Sequence, residues 1–257
     1  MPGTTARQHA GMLDPIWFFI AAVFILAGFV KGVIGLGLPT ISMGLLVLVM
    51  PPAQAAAILM APSLVTNVWQ AVNGGHLRPI LLRLWSMMIG VCVGTWAGAG
   101  LITGTDARYG AAILGLALAI YAVAGLASVR LSVGVFTERW LGPVAGFFTG
   151  VINAGTGVSV IPSAPFLQAI GLQKDELVQA LGLTFTVSTM GLAFNLAAAH
   201  ALTLSLGIAS FAALPLALVG VWLGQSVRQR LKSETFRFWF FVGILALGLY
   251  LMARVIP

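Results

Sequence analysis

Lys31, Thr40, Asn153, Thr156 and Ser159 bring an ammonium, an amide and three hydroxyls into long apolar surroundings. All five sit at or beside two glycine-rich interruptions. The first reads AGFVKGVIGLGLP, from Ala27 to Pro39; the second reads AGFFTGVINAGTG, from Ala145 to Gly157. Gly35 and Gly37 in one, and Gly155 and Gly157 in the other, loosen the helix, and Pro39 suits the first turn of a new one. A helix starting at Pro39-Thr40, or at Gly157-Val158-Ser159, points unpaired N–H groups and a positive dipole end at whatever lies before it. With hydroxyls and a lysine close by, such groups suit a small anion. A charge within an apolar span is a functional candidate. Snorkelling to an interface would also account for Lys31.

More polar residues lie inside the apolar segments. Ser63, Asn67 and Gln70 share one helical face, and Thr184, Thr186, Ser188, Thr189 and Asn195 follow in the second half. Hydrogen bonding between helices explains each of these as well as ligand contact does. Asn67 and Thr186 are the two carried forward as binding residues. Gly28 and Gly32 also fit close helix packing, so two readings are open for Gly28 and its counterpart Gly146.

Elements of several kinds must position these groups. Apolar segments are expected at about 16–34, 53–72, 79–102 and 107–128, with a short arm at about 39–50 after the first break. The second half repeats the plan at about 140–152, 175–199, 202–225 and 234–253, with a short irregular arm at about 158–170 containing Pro162 and Pro165. A twelve-residue arm spans about 18 Å, less than the ~30 Å hydrocarbon core. Thr105-Asp106 is expected to cap the segment that follows it. Aligning Ala27 with Ala145 gives identities at seven of eleven positions. Gly94-Thr95-Trp96-Ala97-Gly98 likewise matches Gly220-Val221-Trp222-Leu223-Gly224, and Tyr121 matches Tyr250. The expected architecture is an all-α polytopic membrane protein of about eight to ten membrane segments. It consists of two inverted-topology repeats, residues 1–130 and 131–257, each with an interrupted helix.

Composition agrees. The 257 residues are 60% hydrophobic and 7% charged, against roughly 25% charged in a soluble domain. The apolar runs are continuous rather than alternating, which disfavours a β-barrel. The net charge is +7, but no stripe of bases with interleaved aromatics is present, so no nucleic-acid partner is expected. The single cysteine, Cys92, is read as a small packing residue. No metal spacing, cofactor motif or nucleophile–base pair is visible, so neither a metal, a cofactor nor an enzyme activity is expected. The first segment has no cleavage site after it and is expected to remain in place.

Charges bear on topology. If each short arm returns the chain to the side it came from, Arg78, Arg83, Arg130, Arg139, Lys174, Arg228, Arg230, Lys232 and Arg237 share one face. Arg7, Arg108 and Arg254 lie on the other. That asymmetry makes the basic loops cytoplasmic and puts both termini outside. All six acids (Asp14, Asp106, Glu138, Asp175, Glu176, Glu234) fall at or beyond segment ends, so no carboxylate relay crosses the membrane. His76 and His200 sit at turns and are read as interfacial.

The stretches GFVKGVIGLGLPTISMGLL and GFFTGVINAGTGVSVIPSAPFLQAIGLQKDELVQALGLTFTVST resemble the TauE/SafE (sulfite exporter) family of bacterial permeases, over almost the full length. Where many members carry three glycines at the break, this chain has Gly35-Leu36-Gly37-Leu38 and Asn153-Ala154-Gly155-Thr156. The resemblance implies a carrier in the bacterial plasma membrane for sulfite, sulfonates or related organosulfur anions. With the residues above, it gives an anion transporter working by alternating access around the two breaks. A channel-like anion pore and a non-transporting membrane scaffold subunit remain open, as does a homo-oligomer.

Overall fold

The computed structural model describes residues 15–104, 106–127, 132–228 and 233–254. Arg7, Asp14, Thr105, Arg130, Arg230 and Lys232 lie outside the described residues. Among those described there are eleven helices and no strand. The first half holds α1 (Pro15–Ile34), α2 (Leu38–Leu46), α3 (Pro52–Val72), α4 (Leu77–Ala97), α5 (Leu101–Gly104) and α6 (Ala107–Leu126). The second holds α7 (Val135–Thr156), α8 (Ser163–Ala169), α9 (Lys174–Ala198), α10 (Leu204–Arg228) and α11 (Ser233–Ala253).

Seven helical stretches are long and apolar enough to cross a membrane: 15–34, 52–72, 77–104, 109–126, 174–198, 204–228 and 234–253. The protein is therefore a multi-pass membrane protein. At 1.5 Å per residue, each of these spans about 27 Å or more. α7 is also long, but its first turn carries Glu138 and Arg139. α2 and α8, at nine and seven residues, are too short to cross.

Glycine brings the long helices together in pairs. A methyl group added at Gly28 or Gly32 of α1 would collide with backbone of α10 at Ala217 or Val221. Gly220 and Gly224 of α10 press in return on Ile25 and Phe29 of α1. α7 and α4 do the same. Gly146 and Gly150 meet backbone at Met87 and Val91, while Gly90 and Gly94 meet Pro143 and Phe147. In lipid there is no hydrophobic drive between helices, so close backbone approach of this kind supplies the dispersion contact. Of the two readings open for Gly28 and Gly146, packing is the one the structure gives.

These contacts also fix direction. α1 runs parallel to α10, and α4 parallel to α7, because higher numbers meet higher numbers. α3 crosses α9 antiparallel, since Ser63 lies by Thr189 while Ala71 accepts from Gln179. α6 and α11 are antiparallel too, with Gly115 against Gly248 and Gly125 against Phe241. α3 and α9 make the buried centre, and the α1/α10 and α4/α7 pairs flank them.

Four details differ from the sequence expectations. α7 continues through Asn153 and Gly155 to Thr156, so the second break lies at 157–162, not at 153–157. The helix of the second short arm starts at Ser163, so Gly157-Val158-Ser159 is not a helix N-terminus. The reason is proline: Pro162 restricts Ile161 before it to extended backbone and delays helix formation. α2 ends at Leu46 and passes through turns to Met50. Cys92 is exposed on the surface of α4 rather than packed inside.

Candidate functional site

Three glycines shape the breaks, Gly35 among them with φ 81°. Gly37 precedes α2 with φ 108°, and Gly157 closes α7 with φ 71°. All three are left-handed conformations that an L side chain adopts at a cost. The Gly157 amide donates to the Asn153 carbonyl at 2.8 Å, ending α7. The chain then leaves the helix at Gly157 and reaches α8 through 158–162 without regular structure.

The two breaks meet. Gly37, Pro39 and Thr40 from the first, and Ser159 and Val160 from the second, line one crevice with Phe185 of α9. Phe185 stands near the middle of α9, so the crevice lies at mid-depth in the bundle. It is closed, with no room for a water molecule. Thr40 and Ser159 are 1% and 4% exposed. Neither hydroxyl has a hydrogen-bond partner among the described residues, and the amides of Thr40, Ser159 and Val160 find none either. These five donors line one crevice.

Lys31 lies beside this crevice rather than in its wall. It is 6% exposed, so it does not snorkel to an interface. Its ammonium donates to Thr66 Oγ1 at 3.0 Å and to Asn67 Oδ1. Thr66 Oγ1 in turn donates to the Pro62 carbonyl at 2.7 Å. Asn67 Nδ2 donates to Ser63 Oγ at 3.1 Å and reaches Thr189 Oγ1 at 3.5 Å. Thr189 is one helical turn beyond Phe185, about 6 Å along α9. The lysine network therefore touches α9 one turn away from the phenylalanine that walls the crevice. Gln70 closes the arrangement, donating to the Gly35 carbonyl at 3.0 Å and to the Val178 carbonyl at 2.8 Å.

The remaining sequence candidates serve the surroundings. Asn153 Nδ2 donates to the Ser188 carbonyl at 2.8 Å, tying the last turn of α7 to α9. Thr156 Oγ1 donates to Ile152 and accepts from the Val158 amide at 3.2 Å, so it shapes the turn. Thr186 is half-buried and donates to its own helix at Gly182. Gly155 lies against Leu101, within the helix. The structure therefore joins Thr40 with Ser159, joins Lys31 with Asn67, and leaves Asn153, Thr156 and Thr186 outside both groups.

Sequence reasoning missed three residues. Thr66 shares Lys31 with Asn67, and Phe185 forms a wall of the crevice. Gln179, fully buried, donates to the Ala71 carbonyl at 2.6 Å and accepts from the His76 amide at 3.0 Å. Thr66 was findable as a hydroxyl next to Asn67. Nothing in the sequence marks Phe185 among so many apolar neighbours.

The arrangement offers hydroxyl and amide donors lining a crevice, with one cation in the neighbouring network and no carboxylate in either group. It can hold a small oxyanion and offset its charge. No cluster of metal-ligating side chains is found among the described residues. The family model described as Sulfite exporter TauE/SafE matches residues 20–251. No curated protein and no solved structure matches the chain.

Proposed function

The chain belongs to the sulfite exporter TauE/SafE family, and from that premise we propose that it is a secondary carrier for a small sulfur oxyanion, sulfite or an organosulfonate. The anion binds where the two breaks meet, held by the Thr40 and Ser159 hydroxyls and the neighbouring amides. Lys31, positioned by Thr66 and Asn67, supplies the balancing charge. The observation that carries the proposal is that donors from both halves, without partners of their own, line one mid-depth crevice.

Alternating access follows from the same arrangement. The crevice is closed, so binding requires one wall to move. The short helix α2 and the stretch 158–162 are the segments on which the crevice rests, while α1/α10 and α4/α7 are packed backbone to backbone. We read residues 1–130 and 131–257 as inverted repeats. In support, α1 and α7 run in opposite directions relative to the α3/α9 centre, and each pairs with the third long helix of the other half. Such a pair of repeats can exchange conformations, opening the crevice to one face and then the other. The placement in a bacterial plasma membrane, with the basic loops cytoplasmic, belongs to the same proposal.

Counterflow tests it. Proteoliposomes loaded with unlabelled sulfite should take up labelled sulfite transiently against its gradient, with saturation. A linear, non-saturating flux without counterflow contradicts a carrier and indicates a pore.

A further inference from the structure

A second cavity, of about 930 Å³, opens on the outer flank where α4 and α7 begin. It has no connection with the donor cluster between the breaks. Arg83, Trp85, Phe136, Glu138, Arg139 and Trp140 line it, with Leu82, Met87 and Phe166 as further apolar wall. Arg83 donates to Glu138 through two nitrogens, at 2.7 and 2.8 Å, and its Nη2 also reaches the Ile170 carbonyl at 2.9 Å. That pair is neutral. Arg139 has no hydrogen-bond or ion-pair partner among the described residues. Arg139, early in α7, is thus the unpaired charge of the lining, while the Glu176 carboxylate bears on Arg83 from outside it.

The walls narrow the choice of occupant. Trp85, Phe136 and Trp140 are 61%, 79% and 73% exposed. Tryptophan with arginine at the end of an apolar span is the side-chain combination that sits at headgroup depth. A free inorganic anion would use the arginine but not several exposed aromatic walls. A zwitterionic lipid would use the walls but not the unpaired charge. An anionic phospholipid uses both: its phosphate meets Arg139 and the outer edge of the Arg83–Glu138 pair, and its acyl chains lie along Leu82, Trp85 and Trp140.

We propose that this flank cavity is a binding site for an anionic phospholipid, with Arg139 as its headgroup contact. The site goes beyond the transport reading and does not depend on it. Because Arg83 and Glu138 join α4 to α7 beside the cavity, an occupant would also cover the exposed arginine side of that ion pair from the bilayer.

Native mass spectrometry tests the assignment on the whole chain, released from non-ionic detergent after titration with dioleoylphosphatidylglycerol or dioleoylphosphatidylcholine. One retained phosphatidylglycerol per chain is expected, at occupancy well above phosphatidylcholine. Arg139→Gln should lower phosphatidylglycerol occupancy about fivefold, the scale of one basic side chain near an anionic headgroup. Arg139→Lys should keep most of it, and Arg237→Gln, on exposed α11 surface, should leave it unchanged. Equal retention of the two lipids by the wild-type chain overturns the proposal, whatever the variants do. So does an Arg139→Gln protein that retains phosphatidylglycerol normally. Displacement of the lipid by millimolar inorganic phosphate would make the site one for free anions, and a lipid-free dimer lost on Arg139→Gln would make it a subunit interface. Either result also overturns it.

Discussion

Thr40 and Ser159 can be removed from the chemistry with little effect on the fold, because their hydroxyls have no partner to lose. Thr40→Val keeps the shape, and Ser159→Ala removes one atom. Each should weaken sulfite binding by about tenfold or more, the usual worth of a hydrogen bond to a charged group. Tm in detergent should stay close to wild type, or rise slightly as an unpaired buried group is removed. A large loss of Tm would mean that these hydroxyls hold structure instead. Lys31→Ala differs, since it strips a donor from Thr66 and Asn67. It should abolish sulfite transport while leaving membrane insertion intact, read as uptake by proteoliposomes beside a monodisperse elution profile. Normal transport by the folded variant would remove Lys31 from the mechanism. Thr186→Val and Thr156→Ala have less to tell, because both hydroxyls are engaged within their own helix or turn. Sequence alone put these threonines on a par with Thr40. A side chain's polar type is legible in a sequence, but whether its hydrogen-bonding capacity is already used is not.

At the level of elements, the glycines divide into two kinds that composition cannot tell apart. Those at 28, 32, 90, 94, 146, 150, 220 and 224 lie where backbone meets backbone. Gly146→Ala should destabilise by about 1–3 kcal/mol, because the Met87 carbonyl it would strike cannot rotate away. Gly207→Ala, in α10 with open space around it, should be neutral or slightly stabilising. Thermal unfolding of the two variants side by side checks the contrast, and equal shifts would refute the packing account. The long helices were legible because apolar runs of about twenty residues have one stable form in lipid. The second break was misplaced by several residues for a physical reason. Asn153 and Gly155 are poor helix formers in water, yet Asn153 is held in the helix by the Ser188 carbonyl across the bundle. Tertiary contact decided where α7 ends, and a local reading of glycine content could not anticipate it.

For the molecule as a whole, the matched glycine clusters were visible in the sequence, and the structure gives them backbone partners on other helices. The pairing of α1 with α10 and of α7 with α4 was not legible, since it joins segments far apart in the chain. Topology has its own test. In a Cys92→Ser background, His76→Cys lies at the basic end of the bundle and Thr203→Cys at the other. A membrane-impermeant maleimide added to intact cells should label the Thr203→Cys variant and reach the His76→Cys variant only after permeabilisation. The opposite pattern would invert the proposed orientation. The central claim, however, is that the meeting point of the two breaks is an oxyanion site. Titration of the purified wild-type, Thr40→Val and Lys31→Ala proteins with sulfite, sulfate, a simple sulfonate and a carboxylate, followed by thermal shift, addresses it most directly. The account predicts saturable stabilisation of the wild-type protein by a sulfur oxyanion, weakened by Thr40→Val and lost in Lys31→Ala. Undiminished stabilisation of both variants, or none of the wild type by any of these anions, would contradict it.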